Sequence, residues 1–255
     1  MTTRTLSDDQ LDRYARHIVL KEIGGAGQRN LLDARIAVIG AGGIGAPVIQ
    51  YLAAAGVGRL TIIDDDKVAL SNLQRQVLYG SSDVGSVKVD AAARAVARLT
   101  PDADVLPVEA RIDAANAPSL LAGHDMVVDG CDNFVTRLAV ADAALALKLP
   151  LVSAAVGQFE GQLAVFKGWQ AGKPCYRCFV GDNPARDEAS CAEQGIVGAL
   201  TGIIGSWAAL EAIRLVTGFG EDMAGRLVLF DGLTMRVRTL ALPKDPACPA
   251  CGAGR

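Results

Sequence analysis

Arg35-Ile-Ala-Val-Ile-Gly-Ala-Gly-Gly-Ile-Gly45 decides the fold, together with the acidic cluster Asp64-Asp65-Asp66 that begins nineteen positions further on. The apolar run Ile36 to Ile39 reads as a buried parallel strand, and Gly40-x-Gly42-x-x-Gly45 then turns the chain into a helix. Backbone N–H groups left free at that helix start can face a phosphate. A second apolar run, Leu60 to Ile63, delivers Asp64 where a ribose hydroxyl needs an acceptor. Glycines alone are a weak signal, because any tight strand-to-helix turn uses them. A strand before them, a helix after them and an acid ending the next strand favour a nucleotide site.

Outward from this unit the alternation continues. Helix Gly43 to Ala55 ends at Gly56-Val57-Gly58, and the second strand follows at once, as in a βαβ unit with short loops. Val105 to Val108 and Leu151 to Val156 read as further strands, and between them His124 to Asn133 gives the fourth strand, ending in Asp129 and Asp132. Val87 to Leu99, Ala115 to Leu121 and Asn133 to Leu147 read as the helices between them. Gln162 to Phe166 extends the sheet, and Arg226 to Phe230 with Arg236 to Leu242 form a closing pair. Upstream, Leu11, Tyr14, Ala15, Ile18 and Val19 carry the spacing of one amphipathic helix over Asp8 to Leu20, with Ser7 and Gln10 as its capping box. Gly24, Gly25 and Gly27 then break the chain before a short helix up to Asp33. The expected fold is α/β: a Rossmann-like, mostly parallel sheet with an antiparallel C-terminal extension, N-terminal helices and a structural zinc site.

Bulk properties narrow the function. The 255 residues suffice for one large α/β domain, and 51% apolar against 5% aromatic content suits close helix-on-sheet packing. A net charge of -3 gives no general attraction to nucleic acid or anionic membrane, so neither is expected as a partner. The apolar stretch Ile196 to Leu210 is short for a membrane span and reads as a buried helix, with Gly198, Gly202, Gly205 and Ser206 allowing close packing. The N-terminal residues lack the apolar core of a secretory signal, which points to the cytoplasm.

Two Cys-x-x-Cys pairs, Cys175/Cys178 and Cys248/Cys251, offer four soft ligands for a closed tetrahedral zinc site that ties the C-terminal tail to the body. Cys191 stands apart in a polar loop, Gly181 to Gln194, as a candidate nucleophile or sulfur acceptor. Its acidic neighbours act against thiolate formation. Cys131, ending an apolar strand, reads as a small packed residue near the ligand.

Lys88 sits in the first turn of its helix, where the macrodipole disfavours a cation. It therefore reads as serving an anion, and with Arg75 it makes a cationic rim around a polyphosphate. Asp129 and Asp132 follow the fourth strand, at the crevice where such sheets bind ligands, and one of them can hold a metal ion. Asp132 can equally be a helix N-cap. A dinucleotide needs none of these charges, and neither histidine, His17 nor His124, is placed for proton transfer beside a substrate. ATP is favoured over an NAD-dependent oxidoreductase.

Arg13-Tyr-Ala-Arg16, the glycine loop, Asp64 to Asp66, Ser71-Asn-Leu-Gln-Arg-Gln76, Lys88, Cys131-Asp-Asn133, Cys191 and the two cysteine pairs stand in an order and spacing that resembles the MoeB/ThiF/HesA adenylyltransferases. These are bacterial relatives of ubiquitin-activating enzymes, and the likeness, nearest to the MoeB branch, runs from about Leu6 to Gly252. It implies one ThiF-type adenylation domain over 1–255. Residues 1–34 would supply N-terminal helices, 35–160 the nucleotide-binding core, and 161–255 a carrier-binding, zinc-bearing extension.

The resemblance also implies roles. ATP would meet Gly40, Gly42, Gly43, Gly45, Asp64, Asp66, Asn72, Arg75, Gln76, Lys88, Asp132 and Asn133. Asp132 would position Mg2+, and Arg16 would reach the triphosphate of the neighbouring subunit in a homodimer. Cys191 matches a loop cysteine that some relatives join covalently to their carrier. The implied reaction adenylates the C-terminal glycine carboxylate of a ubiquitin-like sulfur carrier ending in Gly-Gly, with release of pyrophosphate. The product would feed sulfur transfer in molybdopterin biosynthesis, or, as in ThiF, thiamin biosynthesis. A cysteine desulfurase or other sulfurtransferase is the implied further partner.

Overall fold

The computed structural model describes residues 5–182 and 195–252. Strands β1 (Arg35–Ile39), β2 (Arg59–Ile63), β3 (Asp104–Val108), β4 (Met126–Asp129) and β5 (Leu151–Val156) are mutually parallel. Strands β6 (Glu160–Phe166), β7 (Arg226–Asp231) and β8 (Arg236–Ala241) continue the sheet antiparallel. The order β3-β2-β1-β4-β5-β6-β7-β8 changes direction between β1 and β4. A crevice opens there, beyond the strand C-termini.

The inner strands β1, β2 and β4 are buried on both faces, as parallel strands must be when helices cover both sides, while β3 is a half-exposed edge. Ile36 and Val38 of β1 join Leu60 and Ile62 of β2 under helices α4 (Gly45–Ala54), α5 (Lys88–Leu99) and the long α9 (Gly198–Thr217). Ala37, Ile39 and Ile63 turn to the other face, under α6 (Ala117–Leu121), α7 (Phe134–Ala146) and α8 (Tyr176–Val180). Each fully buried Ile or Leu contributes about 1.5–3 kcal/mol relative to exposure. By length and composition α9 could cross a membrane. It packs instead on α4, β5 and β6 as a core helix.

Two local expectations need correction. The stretch Asp8 to Leu20 is not one helix but two, α1 (Asp8–Arg13) and α2 (Ala15–Ile18), divided at Tyr14 with φ -100° and ψ 13°. Tyr14 turns inward, its hydroxyl donating to Asp102 Oδ2 at 2.7 Å, and burial raises its pKa to about 12. Its ring fills the space beside Gly56, where a Cβ would come within 2.6 Å of Tyr14 Cζ. Leu11 and Val19, expected on the apolar stripe, are exposed. The Ser7/Gln10 capping box is present.

The glycines after α2 do not all break the chain either. Gly24, Gly25 and Gly27 form the first turn of α3 (Gly24–Asp33), and a Cβ on Gly27 would crowd Ile23 and Thr217 of α9. On α9 itself, Gly205 lies against the Ile44 carbonyl and Pro47, as expected of a close crossing. Gly202 faces open space and needs no such account.

Candidate active site

The glycine loop is shaped by two positions. Gly40 turns the chain out of β1 at φ +84°, a conformation that side chains resist, and a Cβ there would lie 3.3 Å from Cys131 N. Gly45 packs so tightly on the Gly40 carbonyl that no Cβ fits. Helix α4 starts at Gly45 without a side-chain cap; Ala46 already donates to the Gly42 carbonyl at 2.9 Å and Pro47 has no N–H, so the amides that can face a ligand are those of the loop residues Gly42, Gly43 and Ile44, which line the cavity.

Asp64 holds this loop from β2. Its Oδ2 accepts the Ala41 N–H at 2.7 Å and its Oδ1 the Asp66 N–H at 2.9 Å. Burial raises its carboxyl above the ordinary value, against the pull of Lys88 and of both backbone N–H groups. The Lys88 ammonium lies 2.7 Å from Asp66 and 3.8 Å from Asp64. The anion expected beside this misplaced lysine is thus, in the free protein, a pair of carboxylates.

Opposite, the 3-10 turn Leu70–Asn72 is closed by Asn72 Oδ1 accepting the Ala69 N–H at 3.1 Å. Arg75 is anchored through Nη1 on the Ser71 carbonyl at 3.0 Å. Gln76 is buried at 3% exposure, yet its Oε1 has no hydrogen-bond partner. A buried amide oxygen without a partner is costly, and Gln76 is one of the residues that line the cavity.

The two carboxylates after β4 part company. Asp129 is buried, accepting the Cys131 N–H at 3.0 Å and facing Arg137 Nη1 at 3.4 Å. Burial works against the charged Arg137, and Asp129 together with Cys131 and Tyr176 more than reverses that effect. Asn133, rather than Asp132, caps α7, accepting the Thr136 N–H at 2.8 Å. Asp132 is left exposed at the cavity. Cys131 packs beside it, and burial pushes its thiol well above the ordinary range, so it is not an activated nucleophile.

These pieces surround one cavity of about 610 Å³. Gly40, Gly42, Gly43, Asp64, Asp66, Asn72, Arg75, Gln76, Lys88, Asp132 and Asn133 all line it. Gly45 does not, because its place is against the Gly40 carbonyl. Arg16 is exposed on α2 and outside its own chain's cavity. Cys191 lies outside the described residues. Sequence reading missed Arg111 after β3, Gln158 and Gln162 around β6, and Asp231 and Arg238 of β7 and β8, which also line the cavity. Only their positions near or within the strands that border the crevice could have signalled them, once the sheet order was known. His17 pairs with Gln28 at 3.0 Å and His124 with Thr61 at 2.8 Å, and neither lines the cavity.

Across the sheet, the four paired cysteines converge. Sulfur atoms of Cys175 and Cys178 are 3.8 Å apart, those of Cys175 and Cys248 3.6 Å, and those of Cys178 and Cys251 3.4 Å. A tetrahedral zinc with about 2.3 Å bonds to sulfur sets its ligands roughly 3.8 Å apart. The cluster fits that metal and holds no disulfide.

A doubly wound sheet with a glycine loop, an acid-lined crevice and a four-cysteine cluster defines a nucleotide-binding α/β protein. Residues 14–250 match the ThiF family model, and the chain belongs to that family. It is 46% identical to the SAMP-activating enzyme E1 of Haloferax volcanii, over 99% of this chain and 93% of that protein. It is 42% identical to the molybdopterin-synthase adenylyltransferase of Escherichia coli K12, over 97% of this chain and 98% of the relative. Family and relatives together make it an enzyme, a nucleotidyltransferase. The crystal structure of Escherichia coli MccB with ATP shares the fold at a TM-score of 0.81 and 21% identity, covering 94% of this chain and 74% of that one.

Proposed function

We propose that the chain uses ATP to adenylate the C-terminal glycine carboxylate of a ubiquitin-like sulfur carrier, releasing pyrophosphate. The observation that carries this reading is the convergence of Arg75, Lys88, Asp132 and the glycine loop on one cavity. A polyphosphate needs those cations. Relatives of nearly equal length named as carrier adenylyltransferases support the substrate class.

In this reading a carboxylate oxygen of the carrier attacks the α-phosphorus. An O–P bond forms to the adenylyl group and the bond to pyrophosphate breaks. No side-chain base is needed, because a C-terminal carboxylate is ionised at neutral pH. Arg75 and Lys88 draw charge from the phosphates, Asp64 orients the ribose, and the glycine-loop amides of Gly42 to Ile44 hold the phosphate in line. Asp132 would hold Mg2+, which supplies further charge neutralisation on the phosphates. Arg16, outside its own cavity, would complete the site of a second copy in a homodimer. The four free thiols suit zinc in a reducing cytoplasm. The domain division at residues 34 and 160 separates dimer helices, nucleotide core and carrier-binding extension.

Molybdopterin formation is the favoured pathway, with thiamin-type carriers as the alternative. Sulfur would then displace AMP, through Cys191 or directly from a cysteine desulfurase or other sulfurtransferase. Carrier-dependent ATP–pyrophosphate exchange against a panel of purified carriers ending in Gly-Gly tests the reading. Exchange with one carrier is expected, and no exchange with any overturns it. Full thiocarboxylate yield from Cys191→Ala would exclude an essential role for that thiol.

A further inference from the structure

Arg16 stands on a helix of four residues, α2, that is tied down on either side of it. Before it, Tyr14 caps the helix and its hydroxyl donates to Asp102 Oδ2 at 2.7 Å, while Asp102 Oδ1 accepts from Gln10 Nε2 of α1 at 2.9 Å. After it, His17 Nδ1 lies 3.0 Å from Gln28 Oε1. Gln28 is fully buried and its Nε2 donates to the Ala55 carbonyl at 2.9 Å, so its Oε1 is the acceptor and His17 Nδ1 carries the proton. Arg16 itself is exposed.

Both ties lie far from the cavity of their own chain. Helices α4 and α5 begin beside that cavity, at Gly45 behind the Gly40 turn and at Lys88 on the wall. Ala55 caps the opposite end of α4, and Asp102 follows just beyond the opposite end of α5 at Leu99. Helices of 10 and 12 residues are roughly 15 and 18 Å long, so α2 is held at their remote ends. Gly56 leaves the room that both ties use: a Cβ there would lie 2.6 Å from Tyr14 Cζ and 2.8 Å from Gln28 Nε2. A single helical turn has little stability of its own, so these side chains set its direction.

We propose that Tyr14 and His17 are positioning residues for Arg16: they fix α2 to the back of one chain so that the arginine projects to the nucleotide site of the second copy. This rests on the reading of Arg16 given above and adds to it the two side chains through which the arginine is aimed.

Subunit mixing of the full-length chain tests it, read by ATP–pyrophosphate exchange with a carrier that the native chain accepts. Tyr14→Phe keeps the ring beside Gly56 and loses the bond to Asp102. Its exchange rate should fall about tenfold, the scale of one charge-assisted hydrogen bond. Mixed in equal amounts with Asp132→Ala, it forms dimers of which about half are mixed. In these, the cavity that keeps Asp132 receives Arg16 from the chain that keeps Tyr14, so activity should rise to about a quarter of native. A tyrosine that served only its own chain's fold would leave that cavity at about a tenth, and the mixture at about a twentieth of native. His17→Ala should lose about fivefold, the scale of a neutral hydrogen bond, and recover in the same mixture. Native exchange in Tyr14→Phe, or a mixture that stays near a twentieth, overturns the proposal. Arg16→Ala mixed with Asp132→Ala is the control. Recovery there but not for Tyr14→Phe rejects the positioning role and leaves the trans arginine standing, whereas recovery in neither rejects the trans arginine itself.

Discussion

Lys88 Nζ lies 2.7 Å from the Asp66 carboxylate, with the lysine side chain 6% exposed and the aspartate 67%. The cation is enclosed by protein while its partner stands in solvent. Asp66 can therefore swing away and leave Lys88 to an incoming phosphate, with Asp64 at 3.8 Å retaining part of the charge balance. Lys88→Ala removes the only lysine on the cavity wall among the described residues. ATP affinity measured by calorimetry should fall about tenfold or more, the scale of a charge-assisted bond. Unchanged affinity would place the phosphates elsewhere.

Gly40→Ala probes the loop independently of charge. The φ of +84° and the nearby Cys131 N leave a side chain strained whichever way the loop shifts. Denaturant unfolding should show a loss of about 1–3 kcal/mol, and nucleotide binding should fall with it. Native stability in this variant would contradict the described turn.

Much of this was legible in the sequence, for identifiable reasons. Apolar runs, glycines at forced turns and acids after strands are local signals: Ile36 to Ile39 form the buried strand, Gly40 makes the turn, and Asp64 follows β2 onto the cavity wall. The order of β6 to β8 is a long-range pairing with no local code, which is why Arg238 and Gln162 were not assigned to the cavity. Tyr14 misled for a related reason. Helical spacing counted it into a continuous stripe, whereas its hydroxyl found Asp102, 88 residues away, and the helix broke there. Asp132 was weighed as the cap of a helix beginning at Asn133, whereas α7 begins one residue later and Asn133 caps it, a shift that only the backbone position of α7 fixes.

Glu211 gives a pH prediction. It is buried in α9, its Oε2 accepts from Arg214, its Oε1 has no partner, and burial raises its pKa despite Arg214. A raised folded pKa means the folded state holds the proton more tightly than the unfolded state. This group's contribution to stability therefore falls as pH rises from the ordinary glutamate value of 4.5 through the raised one, then stays low. Glu211→Gln should melt higher than the native chain at pH 7, and the difference should shrink to nothing below that ordinary value. A lower melting temperature for Glu211→Gln at pH 7 would mean that the Arg214 pair outweighs desolvation.

The cysteine cluster predicts a metal-dependent fold at the C-terminus. Cys248→Ser removes a buried ligand and leaves three sulfurs around an incomplete site. Zinc content should drop from about one per chain to near zero, since closed structural sites need all four ligands. The melting temperature should fall by roughly 5 °C or more, as loss of a structural metal is among the large destabilising changes. Full zinc content in Cys248→Ser would show that the metal uses other ligands.

Arg16 supplies the sharpest test of the homodimer. It is exposed on α2 and absent from the cavity of its own chain, so a role at the phosphates requires a second copy. Asp132, by contrast, lines its own chain's cavity. Arg16→Ala and Asp132→Ala homodimers should each be nearly inactive in carrier-dependent exchange. Mixed in equal amounts and allowed to exchange subunits, they form heterodimers in which one site combines both defects and the other has neither. Random pairing makes half of the dimers mixed, each with one intact site of two, so activity should recover to about a quarter of native. An arginine that worked within its own chain would leave every site of the mixture defective and give no recovery. The same null result from chains that remain monomeric in sedimentation would reject the dimer itself, so the two measurements together decide which statement fails.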